Sequence, residues 1–302
     1  MSTQAPPSAA PESAAVTLPG GAPASAFVAV VLANIALAFG PWFVRLAETG
    51  PVASAFWRIT LAAPLLVALA LGTGWRGREL NGGLWLAVGA SGVVFAGDLA
   101  SWHLGIVRTT LANATLFGNS ATLIFPIYGF IAARAAPTRL QALALVLAAL
   151  GGALLMGRSY SLNPRHLGGD LLCLLAGVLY ACYFIFMARA RNAMAPLPAL
   201  ALSTLASIAP LLLFALALGE RVVPDNWGPL VALALASQLF GQGLMIYALG
   251  KLSPLVVGIA LLIQPIVAAT IGWIAYDERL AFSGFAGAAL VAAALVLVRR
   301  AG

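Results

Sequence analysis

The stretch Leu104-Gly105-Ile106-Val107-Arg108-Thr109-Thr110-Leu111 reappears, altered, as Ala248-Leu249-Gly250-Lys251-Leu252-Ser253-Pro254-Leu255. Each copy closes one apolar block, crosses a short gap carrying one cation, and opens the next block. A second pair follows. Ala136-Pro137-Thr138-Arg139-Leu140-Gln141 corresponds to Glu278-Arg279-Leu280-Ala281-Phe282-Ser283, and each leads into a final block rich in glycine and alanine. The offset is 144 residues in the first pair and 142 in the second, so about two residues were gained or lost between them. The chain therefore reads as a tail (1–25), a first half (26–160) and a second half (161–302). An internal repeat on this scale governs the architecture before any single motif does.

The blocks themselves name the solvent. Of 302 residues, 62% are hydrophobic and 8% charged, with a mean hydropathy of +1.00. Soluble domains average roughly 25% charged residues, and a single soluble core stops growing near ~250–300 residues. The apolar residues come in runs of the length that a bilayer's hydrocarbon thickness demands of a helix. Ten such spans are expected, at 25–46, 51–72, 83–106, 109–131, 137–157, 167–189, 197–218, 227–250, 253–275 and 280–299. Thr49-Gly50-Pro51, Asn163-Pro164-Arg165, Ala195-Pro196 and Pro224-Asp225-Asn226 punctuate them. Five spans per half is an odd number, so the second copy must enter from the opposite face. The expected fold is an all-α membrane protein, ten transmembrane helices in two inverted five-helix repeats around a central cavity. Repeats of that kind place a solute site near the midplane and expose it alternately to the two sides.

Net charge is +7 and the pI about 10.1. The Lys and Arg residues lie in the gaps between blocks with no aromatic interleaving, which sets topology and excludes a nucleic-acid partner. Arg76, Arg78, Arg134, Arg139, Arg189, Arg191, Lys251, Arg299 and Arg300 fall in one set of alternate gaps. Arg45, Arg108, Arg158, Arg165, Arg221 and Arg279 fall in the other. The larger set is expected in the cytoplasm, with both termini, for a protein of the cytoplasmic (inner) membrane. Met1–Ser25 is rich in Pro, Ala and Ser and carries no Lys or Arg, so it reads as a disordered tail rather than a cleaved signal. Cys173 and Cys182 are nine residues apart in one block, on opposite sides of a helix, and do not predict a disulfide. Neither a metal-ligand spacing nor a nucleotide-binding glycine loop is present. No cofactor or metal and no ATP-driven pumping are expected. The expected partners are a small-molecule substrate and membrane lipid; the oligomeric state is left open, with a monomer compatible.

Phe39-Gly40-Pro41-Trp42-Phe43-Val44-Arg45, Gly50-Pro51 and Phe56-Trp57-Arg58 resemble the opening of EamA-type members of the drug/metabolite transporter superfamily. So do Leu167-Gly168-Gly169-Asp170-Leu171-Leu172 and Leu179-Tyr180-Ala181-Cys182-Tyr183-Phe184 at the start of the second half. Tyr276-Asp277-Glu278-Arg279-Leu280 is similar to the signature after that family's ninth helix, while Ala136-Pro137 lacks the acidic residue in the first half. The Asp98–His103 region resembles amino-acid exporters of the YddG type. The resemblance implies a secondary transporter, not an enzyme, exporting small metabolites, neutral or aromatic amino acids foremost.

Ionisable groups inside a membrane are costly and so are functional suspects. Asp98 and Trp102, four apart in the third span, share a helical face; His103 lies about a quarter-turn further round. Together they suit a zwitterion: the carboxylate for an ammonium, the indole for stacking, the imidazole for a carboxylate. The structural alternatives are an Asp98 pair with a helix-end arginine and a His103 bond to a backbone carbonyl. Phe39 and Trp42 share a face of the first span, and Tyr180 is the repeat equivalent of Phe39, so the two are expected to face each other. Gln238 and Gln242 share a face of the eighth span, and Gln264 precedes Pro265, where a carbonyl is left free. Gln242 and Gln264 are read as lining the pore, against the alternative of interhelical hydrogen bonding shared with Asn113, Asn119 and Ser120. Arg58 reads as a snorkelling or structural residue paired with Glu48. A lipid-acting intramembrane enzyme would need convergent carboxylates or a metal cluster, and a channel would need rings of like residues; the sequence offers neither pattern.

Overall fold

The computed structural model describes residues 23–77, 81–109, 114, 117–156, 164–276 and 282–301. All its regular structure is helical, and no strand occurs among these residues. The helices are α1 Ala24–Ala38, α2 Gly40–Leu46, α3 Pro51–Gly72, α4 Gly82–Ile106, α5 Ala121–Ala133 and α6 Arg139–Met156 in the first half. The second half holds α7 Leu167–Arg191, α8 Pro196–Ala217, α9 Gly228–Leu233, a π-helical segment Ala234–Gln242, α10 Gly243–Leu249, α11 Pro254–Ala260, α12 Ile263–Tyr276 and α13 Phe282–Ala301.

Seven stretches are long and apolar enough to cross a membrane: Ala24–Leu46, Pro51–Gly72, Gly82–Ile106, Pro164–Arg191, Pro196–Ala217, Gly228–Leu249 and Phe282–Arg300. Ala121–Ala133, Arg139–Leu154 and Pro254–Ala268 are apolar but shorter. The expectation of ten full-length spans is thus met by seven among the described residues. Residues 110–113, 115 and 116 of the fourth expected span lie outside those described, and the ninth is interrupted at Leu261 and Leu262, just before Pro265 removes a backbone donor. Residues 1–22 of the expected tail (1–25) and Asp277–Leu280 of the family-like signature also lie outside the described residues, while Ala24 and Ser25 already belong to α1.

The punctuation read in the sequence sits where helices start. Pro51, Pro196 and Pro254 occupy first-turn positions, where a missing N–H costs nothing. Asn81 caps α4 by accepting from the Leu84 N–H at 2.8 Å. The cap of α3 comes from the other half of the chain: Glu220 accepts from the N–H groups of Val52 (3.3 Å) and Ala53 (2.8 Å), placing a carboxylate on the positive end of a 22-residue helix. Thr49 Oγ1 and the Trp57 indole donate to the carbonyls of Arg221 and Val222 beside it.

The halves interlock. The most extensive contacts run from α4 to α7 and α8, from α6 to α13, from α3 to α8, from α5 to α11, and from α1 to the π segment, α10 and α12. Small residues permit these approaches, as expected where water exclusion does not drive helices together. A Cβ on Gly92 would stand 2.5 Å from Ala206 Cβ, and one on Gly105 would stand 2.4 Å from Cys173 Sγ. Ser91, Ser203 and Ser207 stitch α4 to α8 with bonds of 2.8–2.9 Å. Large apolar side chains point outward instead, including Leu86, Ile131, Leu213 and Phe282. An apolar exterior of this extent suits lipid rather than water. Both cysteines are free.

Candidate functional site

Three backbone irregularities border one cavity. The first helix breaks at Phe39, because Pro41 cannot donate to the carbonyl of Leu37. The eighth span widens into the π segment 234–242, a distortion often found at functional sites. The ninth breaks between α11 and α12. Leu37, Gly40, Pro41, Gln242, Leu261, Gln264 and Pro265 all line the cavity from these irregular places.

The regular helices supply the rest. On α4 the lining residues Phe95, Asp98, Leu99, Trp102 and Ile106 follow helical spacing along one face. Arg58 comes from α3, Tyr180 from α7, and Trp42 and Arg45 from α2; Asn119, Ala268 and Ile271 complete the wall. On α4 the lining stops at Phe95 on one side and reaches the helix end at Ile106 on the other, so the cavity runs from mid-helix toward the Arg45–Ile106 end. Its volume is about 150 Å³. At ~10–15 Å³ per water molecule, that is room for a solute of on the order of ten heavy atoms.

Six expected site residues therefore meet at one wall: Trp42, Asp98, Trp102, Tyr180, Gln242 and Gln264. His103 does not. It is fully buried against α3, with Nδ1 2.7 Å from the Pro51 carbonyl and 3.0 Å from Ser54 Oγ. The carbonyl can only accept, so Nδ1 carries the proton. The quarter-turn between Trp102 and His103 decides this, since it sends one ring to the cavity and the other to the neighbouring helix. Phe39 also lies off the wall, in a ring cluster with Trp42 and Phe43, so it does not face Tyr180 across the cavity. Gln238 and Gln242 part company as well. Gln238 donates to Thr204 on α8 at 3.0 Å, and Gln242 donates to the Tyr180 hydroxyl at 3.4 Å. Gln264 both lines the cavity and donates to Asn34 on α1 at 2.8 Å, so its interhelical and lining roles coexist. Asn113 lies outside the described residues.

Arg58 is the residue that sequence reasoning misplaced. It is 5% exposed and lies at the cavity wall, with its guanidinium 5.9 Å from the Phe95 ring centroid, while Glu48 is exposed. The available signal was its position seven residues past the start of a span, too deep to snorkel easily from that end. Asp98 is 8% exposed and takes part in no hydrogen bond or ion pair within 4 Å among the described residues. The Asp98 pairing with a helix-end arginine is not formed. Phe95, stacked on Tyr183 at 4.4 Å, anchors an aromatic cluster with Tyr180 and Phe184 beside the Arg58 guanidinium. Among the described residues no group of three His, Cys, Asp or Glu side chains converges as a metal site would need.

Residues 167–300 match the EamA-like transporter family. This EamA-like stretch begins at α7 and runs through α13. A relative from Archaeoglobus fulgidus, described as an uncharacterized transporter, is 25% identical over 246 residues, covering 78% of this chain and 83% of its own. A protein of known crystal structure shares the fold at TM-score 0.74 and 14% identity, covering 90% of this chain and 94% of its own.

The positions of the two rings separate their roles experimentally. His103→Ala is expected to lower the amount of folded protein, because it removes a buried hydrogen bond to the Pro51 carbonyl at about 0.5–1.5 kcal/mol, while Ser54 Oγ still donates to that carbonyl. Its relative preference among solutes should equal that of the unaltered protein in competition assays. A changed ranking of solutes would restore His103 to the site.

Proposed function

We propose that this chain is a secondary transporter of EamA type, exporting small metabolites, foremost neutral or aromatic amino acids, across the inner membrane by alternating access. The observation that carries the reading is the cavity itself. A buried carboxylate and aromatic rings face a space of amino-acid size, bordered by interrupted helices of both halves. The EamA-like match falls wholly within the second half, 161–302, which supports reading that half as one EamA-like unit.

The contacts support ten spans related by a twofold exchange. Exchanging the halves turns the contact of α4 with α7 into that of the eighth span with α1. It leaves α3–α8, α5–α11 and α6–α13 paired with themselves. On the cation count, the Arg45–Ile106 end of the cavity is the end that faces outside in this reading. The wall carries Arg45 and Arg58 against Asp98, and this excess of positive charge favours a second reading, export of anionic metabolites.

Flux from loaded proteoliposomes tests both. Saturable efflux of phenylalanine or tryptophan, competed by other neutral amino acids, is the expected result. Efflux of an organic acid without any amino acid would select the second reading, and efflux that tracks an imposed pH gradient would mean proton coupling. No movement of either class would remove the substrate assignment.

A further inference from the structure

Resting on the amino-acid reading, we infer that Arg58 is the carboxylate anchor of the site, opposed by Asp98 as the ammonium anchor, so that the cavity selects zwitterions. Two opposite charges are buried on adjacent helices at one cavity wall, and they do not form an ion pair within 4 Å of each other. Arg58 donates no hydrogen bond among the described residues, and its Nε is fully buried without a partner. Asp98 accepts none. A buried guanidinium with five unused donors is costly unless something binds it.

A solute that carries one carboxylate and one ammonium on the same carbon supplies both missing partners at once and leaves the net charge of the site unchanged. A planar guanidinium fork matches a carboxylate in two parallel bonds, which a point charge does not. The Phe95 ring lies near the guanidinium on the side of the aromatic cluster and helps fix its plane. Tyr180, Trp102 and Trp42 are then left to receive the solute's side chain. His103, buried against Pro51 and Ser54, is not available for the carboxylate.

The test is equilibrium binding to the purified full chain of three probes: phenylalanine, phenylalaninamide, which keeps the ammonium but not the carboxylate, and 3-phenylpropionate, which keeps only the carboxylate. The unaltered protein is expected to bind phenylalanine about tenfold or more tighter than either analogue, the value of one lost charge-assisted contact. Arg58→Gln should abolish the preference for phenylalanine over phenylalaninamide. Arg58→Lys, which keeps the charge and guards against simple misfolding, should retain part of it. Asp98→Asn should abolish the preference over 3-phenylpropionate. If the Arg58 variants keep the preference ratio of the unaltered protein, or lower all three affinities equally, Arg58 is structural and the inference falls while the amino-acid reading stands. If the unaltered protein binds none of the three and no other amino acid, both fall together.

Discussion

Gly105→Leu should unfold the protein on the order of 5–10 °C earlier in detergent, the shift that follows from overpacking by about 3 kcal/mol in a chain of this size. Gly105 sits where α4 passes close to α7. A Cβ there would lie 2.4 Å from Cys173 Sγ, 3.1 Å from the Gly169 carbonyl and 3.2 Å from the Cys173 nitrogen. Two of those neighbours are backbone atoms, so the helices themselves would have to separate. The α4–α7 contact is the most extensive among the described residues, and both helices carry cavity residues. Gly168→Leu, one residue before Gly169, is the control, because nothing lies within 4 Å of a Cβ at that position. Equal melting of the two variants in a thermal scan would show that the close approach is not what holds α4 to α7.

Phe95→Ala is expected to cost about 3 kcal/mol or more, near the range for truncating a buried phenylalanine. The ring is 1% exposed, stacked on Tyr183 with centroids 4.4 Å apart, and 6.4 Å from Tyr180. Inside a bilayer the loss is one of packing contacts rather than of shelter from water, so the void is the main cost. Solute binding should weaken too, since the Arg58 guanidinium loses the ring beside it. Leu86→Ala supplies the contrast: the same helix, a residue 74% exposed toward lipid, and no expected change. A Phe95→Ala protein that melts and binds like the Leu86→Ala protein would refute the account.

The cavity wall is partly legible in the amino-acid sequence. Asp98 and Trp102 share a helical face by their spacing, and the proline before which Gln264 stands marks a break in its span. Such facts are local, because a helix carries its own periodicity. Direction between helices is not legible in the same way. Trp102 and His103 are neighbours in sequence, and only the position of α3 makes one a wall residue and the other a buried strut. Arg58 has Glu48 as a candidate partner in sequence, whereas the fold turns it inward beside Phe95.

The apolar blocks by themselves determined that this chain is helical and suited to lipid, and the repeat at Leu104–Leu111 and Ala248–Leu255 predicts two related halves. Those conclusions follow from composition and from spacings short enough to be set by backbone geometry. The tertiary structure alone decided which helices meet, where Pro41 and Pro265 open the backbone onto a cavity, and which buried charges face it. Packing of distant segments has no local signature, because any apolar face can meet any other until glycines such as Gly92 and Gly105 admit one partner at close range.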